Sequence, residues 1–427
     1  MSIKAHRRWT QSLRLSRPPR SLSRVASAHL DLIRAVAAWL VMWGHLRNLF
    51  LVDFENVQHS SRLVKAIYFL AGFGHQSVVV FFVLSGFLIS STIVKRLVSG
   101  TWSWRGYAID RLTRLYVVLI PGLLFGLLWD KTGTALFAST GLYSHPLDGF
   151  GPAVPQSQIT LRVLFGNLAF LQTLVSPVFG SNGPLWSLAN EFWYYVLFPV
   201  GLFAVVAWTN NVIRQAVPLT VLAICIATFV RSPILPGFLI WMAGCVLVVA
   251  YSKFTLRRQV WLTVYLLTSS TIVITCLVAS RTRSSGPLAS DFTLGAMFSV
   301  FLFGVLQIEF GKKQGSYPKI ASYLAGFSYS LYVLHFPLLL FLRAWFAPSL
   351  RWQPNALHLI YSLIVGMVTL LFAWIVSVLT EKKTGVVRSW VDSVIPRFAD
   401  ARFAQQTAYA TNEGGTLKTL GTARTDC

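Results

Sequence analysis

Stretches of about 20 apolar residues, the length an α-helix needs to cross the hydrocarbon core of a bilayer, recur along this chain from one end to the other. They lie near residues 31–51, 76–94, 112–129, 185–207, 214–230, 234–251, 259–280, 291–310, 321–346 and 356–380, which makes ten. In lipid every backbone N–H and C=O must be satisfied within the protein, and segments of this length meet that demand as helices. The expected fold is therefore all-α, a polytopic membrane helix bundle with about ten transmembrane helices. Only 12% of the residues are charged, about half the usage of a soluble domain.

Charge placement predicts the orientation. Residues 1–29 carry Lys4, Arg7, Arg8, Arg14, Arg17, Arg20 and Arg24 and no acid, which under the positive-inside rule keeps this end in the cytoplasm. The segments after the second, sixth and eighth spans are also rich in Lys and Arg, so ten spans return the C-terminus to the same side. Both termini are expected to be cytoplasmic. The formal charge of +23 is thus a topology signal. Nucleic-acid binding would need a basic face on a soluble domain, and no segment between the spans is large enough to form one. Three regions follow: a basic cytoplasmic tail (1–29), a transmembrane domain (30–390) in contact with membrane lipids, and a polar C-terminal tail (391–427) whose composition predicts disorder. The first apolar run is too long for a signal-peptide core, so no cleaved leader is expected. The four cysteines have neither disulfide nor metal-ligand spacing, and no metal is expected.

Several spans carry groups that are expensive in lipid. "DLIRAVAAWLVMWGHLRNLF" (31–50) places Arg34 and His45 eleven residues apart, about 20° beyond three full turns, so they share one helix face some ~16 Å apart along the axis. Snorkelling accounts for Arg34 alone and an interhelical hydrogen bond for His45 alone, but neither requires a common face. In "FFVLSGFLIS" (81–90), Ser85 and Gly86 interrupt bulky residues and let a helix or a ligand approach the backbone. "IDRLTRLY" sets Arg111 and Arg114 on one face at a predicted cytoplasmic boundary; two forked guanidiniums there suit phosphate, although they also serve as a positive-inside flank. In "GPLWSLANEFWYY", Pro184 opens a helix, with Ser187 and Glu191 stacked one turn apart. An intramembrane carboxylate wants a cation or a proton donor. In "GFSYSLYVLHFP" (326–337), Ser328, Tyr332 and His335 face one way and Pro337 frees the carbonyl of Val333. Glu381, after the last span, reads as a helix cap or an ion-pair partner.

Together these motifs resemble acyltransferase family 3, multi-pass bacterial proteins that O-acylate glycans and other acceptors. The resemblance rests on the Arg34 to His45 pair, "FFVLSGFLI", "RLTRLY", "WSLANEFWYY", "GFSYSLYVLHFP" and Glu381, in the family's order over residues 30 to about 390. Two departures are Val117, where a proline often follows the arginine pair, and Ser77, where a glycine is common. The resemblance implies an O-acetyltransferase in the bacterial plasma (inner) membrane, moving an acetyl group from acetyl-CoA to a hydroxyl of an exopolysaccharide, O-antigen or oligosaccharide, lipid-linked or secreted. Arg111 and Arg114, with Arg34 assisting, are expected at the phosphates of the acyl-CoA. Its pantetheine arm would pass Ser85 and Gly86 so that the thioester reaches His45. His45 would be the general base, since an imidazole of ordinary pKa near ~6.5 is neutral at pH 7, or else a transient acyl carrier. Glu191, if adjacent, would hold its tautomer. Trp186, Ser187, Tyr332 and His335 are assigned to the acceptor.

Two other classes compete. A proton-coupled transporter of a small molecule would also use intramembrane Arg, His and Glu, but paired interrupted segments in two halves are not visible. A non-catalytic scaffold gives no reason for His45 and Glu191 to lie at lipid depth.

Overall fold

The computed structural model describes residues 20–147, 154–256, 258–281, 287–308, 315–348 and 350–395. Most of both expected tails therefore lies outside the described residues. Among the described residues the fold is all-helical, and ten helical segments are long and apolar enough to cross a membrane.

The first helix, α1 (Arg24–Phe50), starts inside the segment read as tail because the Ser23 hydroxyl accepts from the Ala26 N–H at 3.0 Å and caps it. A ten-residue helix, α2 (Arg62–Ala71), follows with Leu63, Phe69 and Leu70 exposed. Next come α3 (Gly74–Val98) and α4 (Trp104–Leu136), then a short α5 (Leu161–Leu168) and α6 (Leu185–Thr209). The fifth and sixth spans, Ile213–Arg231 and Ile234–Lys253, lie in one helical run, α7 (Ile213–Lys253). Its 41 residues would measure roughly 60 Å if straight, twice a bilayer core. The chain continues with α8 (Gln259–Arg281), α9 (Pro287–Leu306), α10 (Tyr317–Ala325), α11 (Ser328–Phe346), α12 (Ala356–Leu379) and α13 (Thr384–Val394).

Two boundaries differ from the apolar pattern. The long ninth run is two helices, α10 and α11, broken at Gly326 and Phe327, since hydropathy does not register a turn made of apolar residues. Helix α13 runs to Val394, four residues into the segment read as the polar tail. Its exposed Val386, Trp390 and Val394 form one stripe, while Arg388 pairs with Asp110 at 2.6 Å and Asp392 pairs with Arg105. Helix α13 is thereby tied to the start of α4, at the end of the bundle where α1 begins.

Helix α1 packs against α3, α10 and α11, and α3 packs against α7. The α3–α7 contact is backbone to backbone. A Cβ on Gly86 would fall deep inside contact distance of the Trp241 carbonyl, and one on Gly244 would meet the Val83 carbonyl. Close approach, not ligand access, therefore explains the small residue at 86. Gly86→Ala is expected to lower the melting temperature of the detergent-solubilised protein, as overpacking typically costs about 1–3 kcal/mol. Gly201→Ala, where the added carbon meets nothing within 4 Å, is the control. Equal melting shifts for the two would overturn the packing account.

Candidate active site

Between α1, α3, α4, α6 and α11 lies a cavity of about 230 Å³. Pockets for drug-sized ligands run from about 300 to 1,000 Å³, so this one suits a slender chain rather than a nucleotide. Val78, Phe81, Phe82, Leu84, Leu88 and Leu188 supply apolar walls, and Arg34, Arg111 and Arg114 supply cations.

The acid next to the arginine pair has been diverted. Asp110 pairs with Arg96 and Arg388 rather than with Arg111 or Arg114. Among the described residues neither Arg111 nor Arg114 forms an ion pair or a side-chain hydrogen bond, and Arg111 Nε is buried without a partner. What they do have are aromatic faces: the Arg111 guanidinium stands 5.9 Å from the Tyr195 ring and that of Arg114 5.6 Å from the Tyr329 ring. Such stacking holds a guanidinium in place without occupying its donors. Arg34 is engaged instead, by Asp31 at 3.1 Å and by the Ala325 carbonyl at 3.5 Å.

Both tyrosines end on Glu191. The hydroxyl of Tyr329 donates to Glu191 Oε2 at 2.9 Å, while the Tyr195 hydroxyl and Ser85 Oγ (3.0 Å) donate to Oε1. Glu191 thus joins Ser85 on α3, Tyr195 on α6 and Tyr329 on α11, fixing the rings that carry the arginine pair. Its expected partnership with His45 is not formed. The reason is geometric: three hydroxyls from three helices converge on the carboxylate, and His45 faces elsewhere.

His45 meets His335. The two rings lie nearly parallel and edge to edge, their centroids 5.0 Å apart with 9° between their planes, and His45 Nδ1 lies 2.7 Å from His335 Nε2. Proton placement follows from the far end of the chain of bonds. His335 Nδ1 is 2.9 Å from the Leu331 carbonyl, which can only accept, so this nitrogen carries the hydrogen. In a neutral ring His335 Nε2 is then the acceptor, His45 Nδ1–H donates to it, and the basic lone pair of His45 resides on Nε2. The tautomer-holding role expected of Glu191 thus falls to His335, which was assigned to the acceptor. His335 is fully buried.

The carbonyl freed by Pro337 is used. Asn182 Nδ2 donates to Val333 O at 2.9 Å, fastening the loop before α6 to α11. Glu381 caps α11, its Oε2 accepting from the Ser330 N–H at 2.9 Å and the Ser330 hydroxyl at 2.8 Å, with Arg34 and Arg114 in electrostatic reach.

The cavity therefore brings together Arg34, Ser85, Arg111, Arg114, Ser187, Glu191 and Tyr332. Ser187 Oγ and the Tyr332 hydroxyl are 2.7 Å apart. Gly86 and Trp186 do not line it: Gly86 abuts α7, and Trp186 packs edge-on to Phe82 at 6.2 Å. The histidine pair lies one ring beyond the wall. Tyr332 lines the cavity and meets the His335 ring at 6.1 Å and the Phe81 ring at 5.8 Å, so the expected path to His45 stops at these two aromatics. Tyr195 and Tyr329 were not anticipated, although Tyr195 is one turn from Glu191 and Tyr329 sits inside a quoted motif.

A family model described as an acyltransferase domain matches residues 27–378, nearly all of the chain. A search of curated proteins and one of solved structures returned no match.

Proposed function

Because the chain belongs to acyltransferase family 3, a multi-pass membrane acyltransferase, we propose that it moves an acetyl group from acetyl-CoA to a hydroxyl of a glycan in the bacterial plasma membrane. The observation that carries this reading is the pairing of two unengaged guanidiniums at one end of an apolar cavity with an oriented histidine pair just past its other end. Arg111 and Arg114 offer ten donors to the donor's phosphates. The narrow apolar space accepts a pantetheine arm and leaves the nucleotide at the mouth.

At the far end His45 Nε2 takes the proton of the acceptor hydroxyl as its oxygen attacks the thioester carbon. The C–O bond forms, the C–S bond breaks, and CoA leaves as its thiolate, to be protonated by the imidazolium or by water. As His45 becomes an imidazolium, its bond from Nδ1–H to His335 becomes charge-assisted and strengthens, so the histidine pair favours the charged intermediate more than the resting state. The Phe81 and Tyr332 rings must part for the acetyl group to reach His45, which makes them the gate between donor and acceptor.

The test is direct. Purified protein incubated with acetyl-labelled CoA is expected to release CoA slowly to water and faster with an acceptor glycan. No release above a detergent blank, with or without glycan, would overturn the reading and favour a transporter or scaffold. Mass analysis of surface glycans from a deletion strain would identify the acceptor.

A further inference from the structure

Helix α11 continues past the histidine pair to an arginine that the mechanism leaves unused. Tyr332 on the cavity wall and Phe336 lie eleven and seven residues before Arg343, each within about 20° of it around the helix, on either side. Phe336 meets the His45 ring edge-on at 5.2 Å. Arg343 therefore stands on the same stripe, some ~10 Å beyond the level of His45, at the end of the bundle opposite Arg111 and Arg114. Helical side chains lean toward the N-terminus, so its guanidinium leans back toward the histidines.

Arg343 is 5% exposed, and its Nη1 is buried with no hydrogen-bond partner. Among the described residues no carboxylate pairs with it, and the charge that acts on it is that of another cation, Arg351. The nearby acid is already used: Asp53 takes both nitrogens of Arg351, at 3.2 and 2.7 Å, and stands 3.6 Å from Arg47. Snorkelling does not account for Arg343, because a snorkelling arginine exposes its head; here the exposed neighbours are Trp345 and Phe346. Its place in the last turn of α11 favours a cation through the helix dipole, but the dipole supplies no hydrogen-bond acceptor for the buried Nη1.

We infer that Arg343 anchors the acceptor by an oxyanion, so that the hydroxyl to be acylated belongs to an acidic glycan. The shared chemistry is a planar or tetrahedral anion matching the guanidinium fork, supplied either by a sugar carboxylate or by the phosphate that links a glycan to its carrier. This rests on the transferase reading and adds the charge of the substrate to it. Donor and acceptor would then each be held by arginine, at opposite ends of one path, with the histidine pair between.

The test titrates the full-length protein in nanodiscs with glucuronate, inorganic pyrophosphate and glucose, at saturating CoA so that Arg111 and Arg114 are occupied. One anion or both are expected to bind the wild type at least tenfold more tightly than glucose. Arg343→Gln is expected to weaken that binding tenfold or more, and Arg343→Lys, which keeps the charge but not the fork, by about threefold. CoA binding by each preparation reports that it is folded. Glucuronate alone responding to Arg343 identifies a sugar carboxylate, and pyrophosphate alone a carrier phosphate. The inference is overturned if neither anion outbinds glucose, or if both bind folded Arg343→Gln as they bind wild type. A wild type that neither binds CoA nor cleaves acetyl-CoA would instead sink the transferase reading, an outcome read separately from the anion titration.

Discussion

His45→Ala is expected to reduce acetyl transfer at least a hundredfold, with expression and membrane insertion intact, since a positioned general base contributes about 10²–10⁴ in rate. The size follows from the bond chain. His45 Nε2 is basic only because Nδ1–H is committed to His335, which is committed in turn to the Leu331 carbonyl. His335→Ala removes the acceptor for that hydrogen and lets the ring turn, so it is expected to cost less than His45→Ala yet still well over tenfold. His335→Asn, whose amide oxygen can accept from His45, is expected to recover part of the loss. Labelled acetyl transfer to surface glycan measures all three. Wild-type transfer by His45→Ala would remove that ring from the chemistry, and identical losses in the two His335 variants would reduce His335 to packing.

Arg111→Ala and Arg114→Ala are each expected to raise KM for acetyl-CoA by more than tenfold. A hydrogen bond to a charged group contributes about 1.5–3 kcal/mol, and 1.4 kcal/mol is a factor of ten. Neither guanidinium has a hydrogen-bonding partner among the described residues, so no internal ion pair is broken and the loss is read in the donor alone. The stacked tyrosines give a comparison: Tyr329→Phe keeps the ring beneath Arg114 but removes the hydroxyl donated to Glu191, and a smaller rise is expected. Unchanged KM in both arginine variants would leave the pair with membrane orientation as its whole function.

The spans were legible because bilayer thickness imposes a length on any helix that crosses it, and ten apolar runs declare themselves whatever their packing. The short α2 was not, since ten residues with three exposed apolar side chains fall below that length. The shared face of Arg34 and His45 follows from helical period alone. Which neighbour each ionisable group turns to does not, because it depends on how helices rotate against one another. Glu191 and His335 illustrate this: both lie at lipid depth near the site, and the sequence offers no measure of which stands beside His45. Three hydroxyls on α3, α6 and α11 settle it. Arg343 could have been noticed by the same rule that flagged Arg34, as an arginine within an apolar span, but it follows no quoted motif.

Glu381 and Arg388 complete elements that begin far earlier in the chain, the first capping α11 and the second holding Asp110 away from the arginine pair. Translation delivers Arg34 and His45 some 340 residues before them, roughly 20–70 s at ordinary bacterial speeds. A nascent chain thus holds its histidine for that interval without the cap of α11 and without the arginine that engages Asp110.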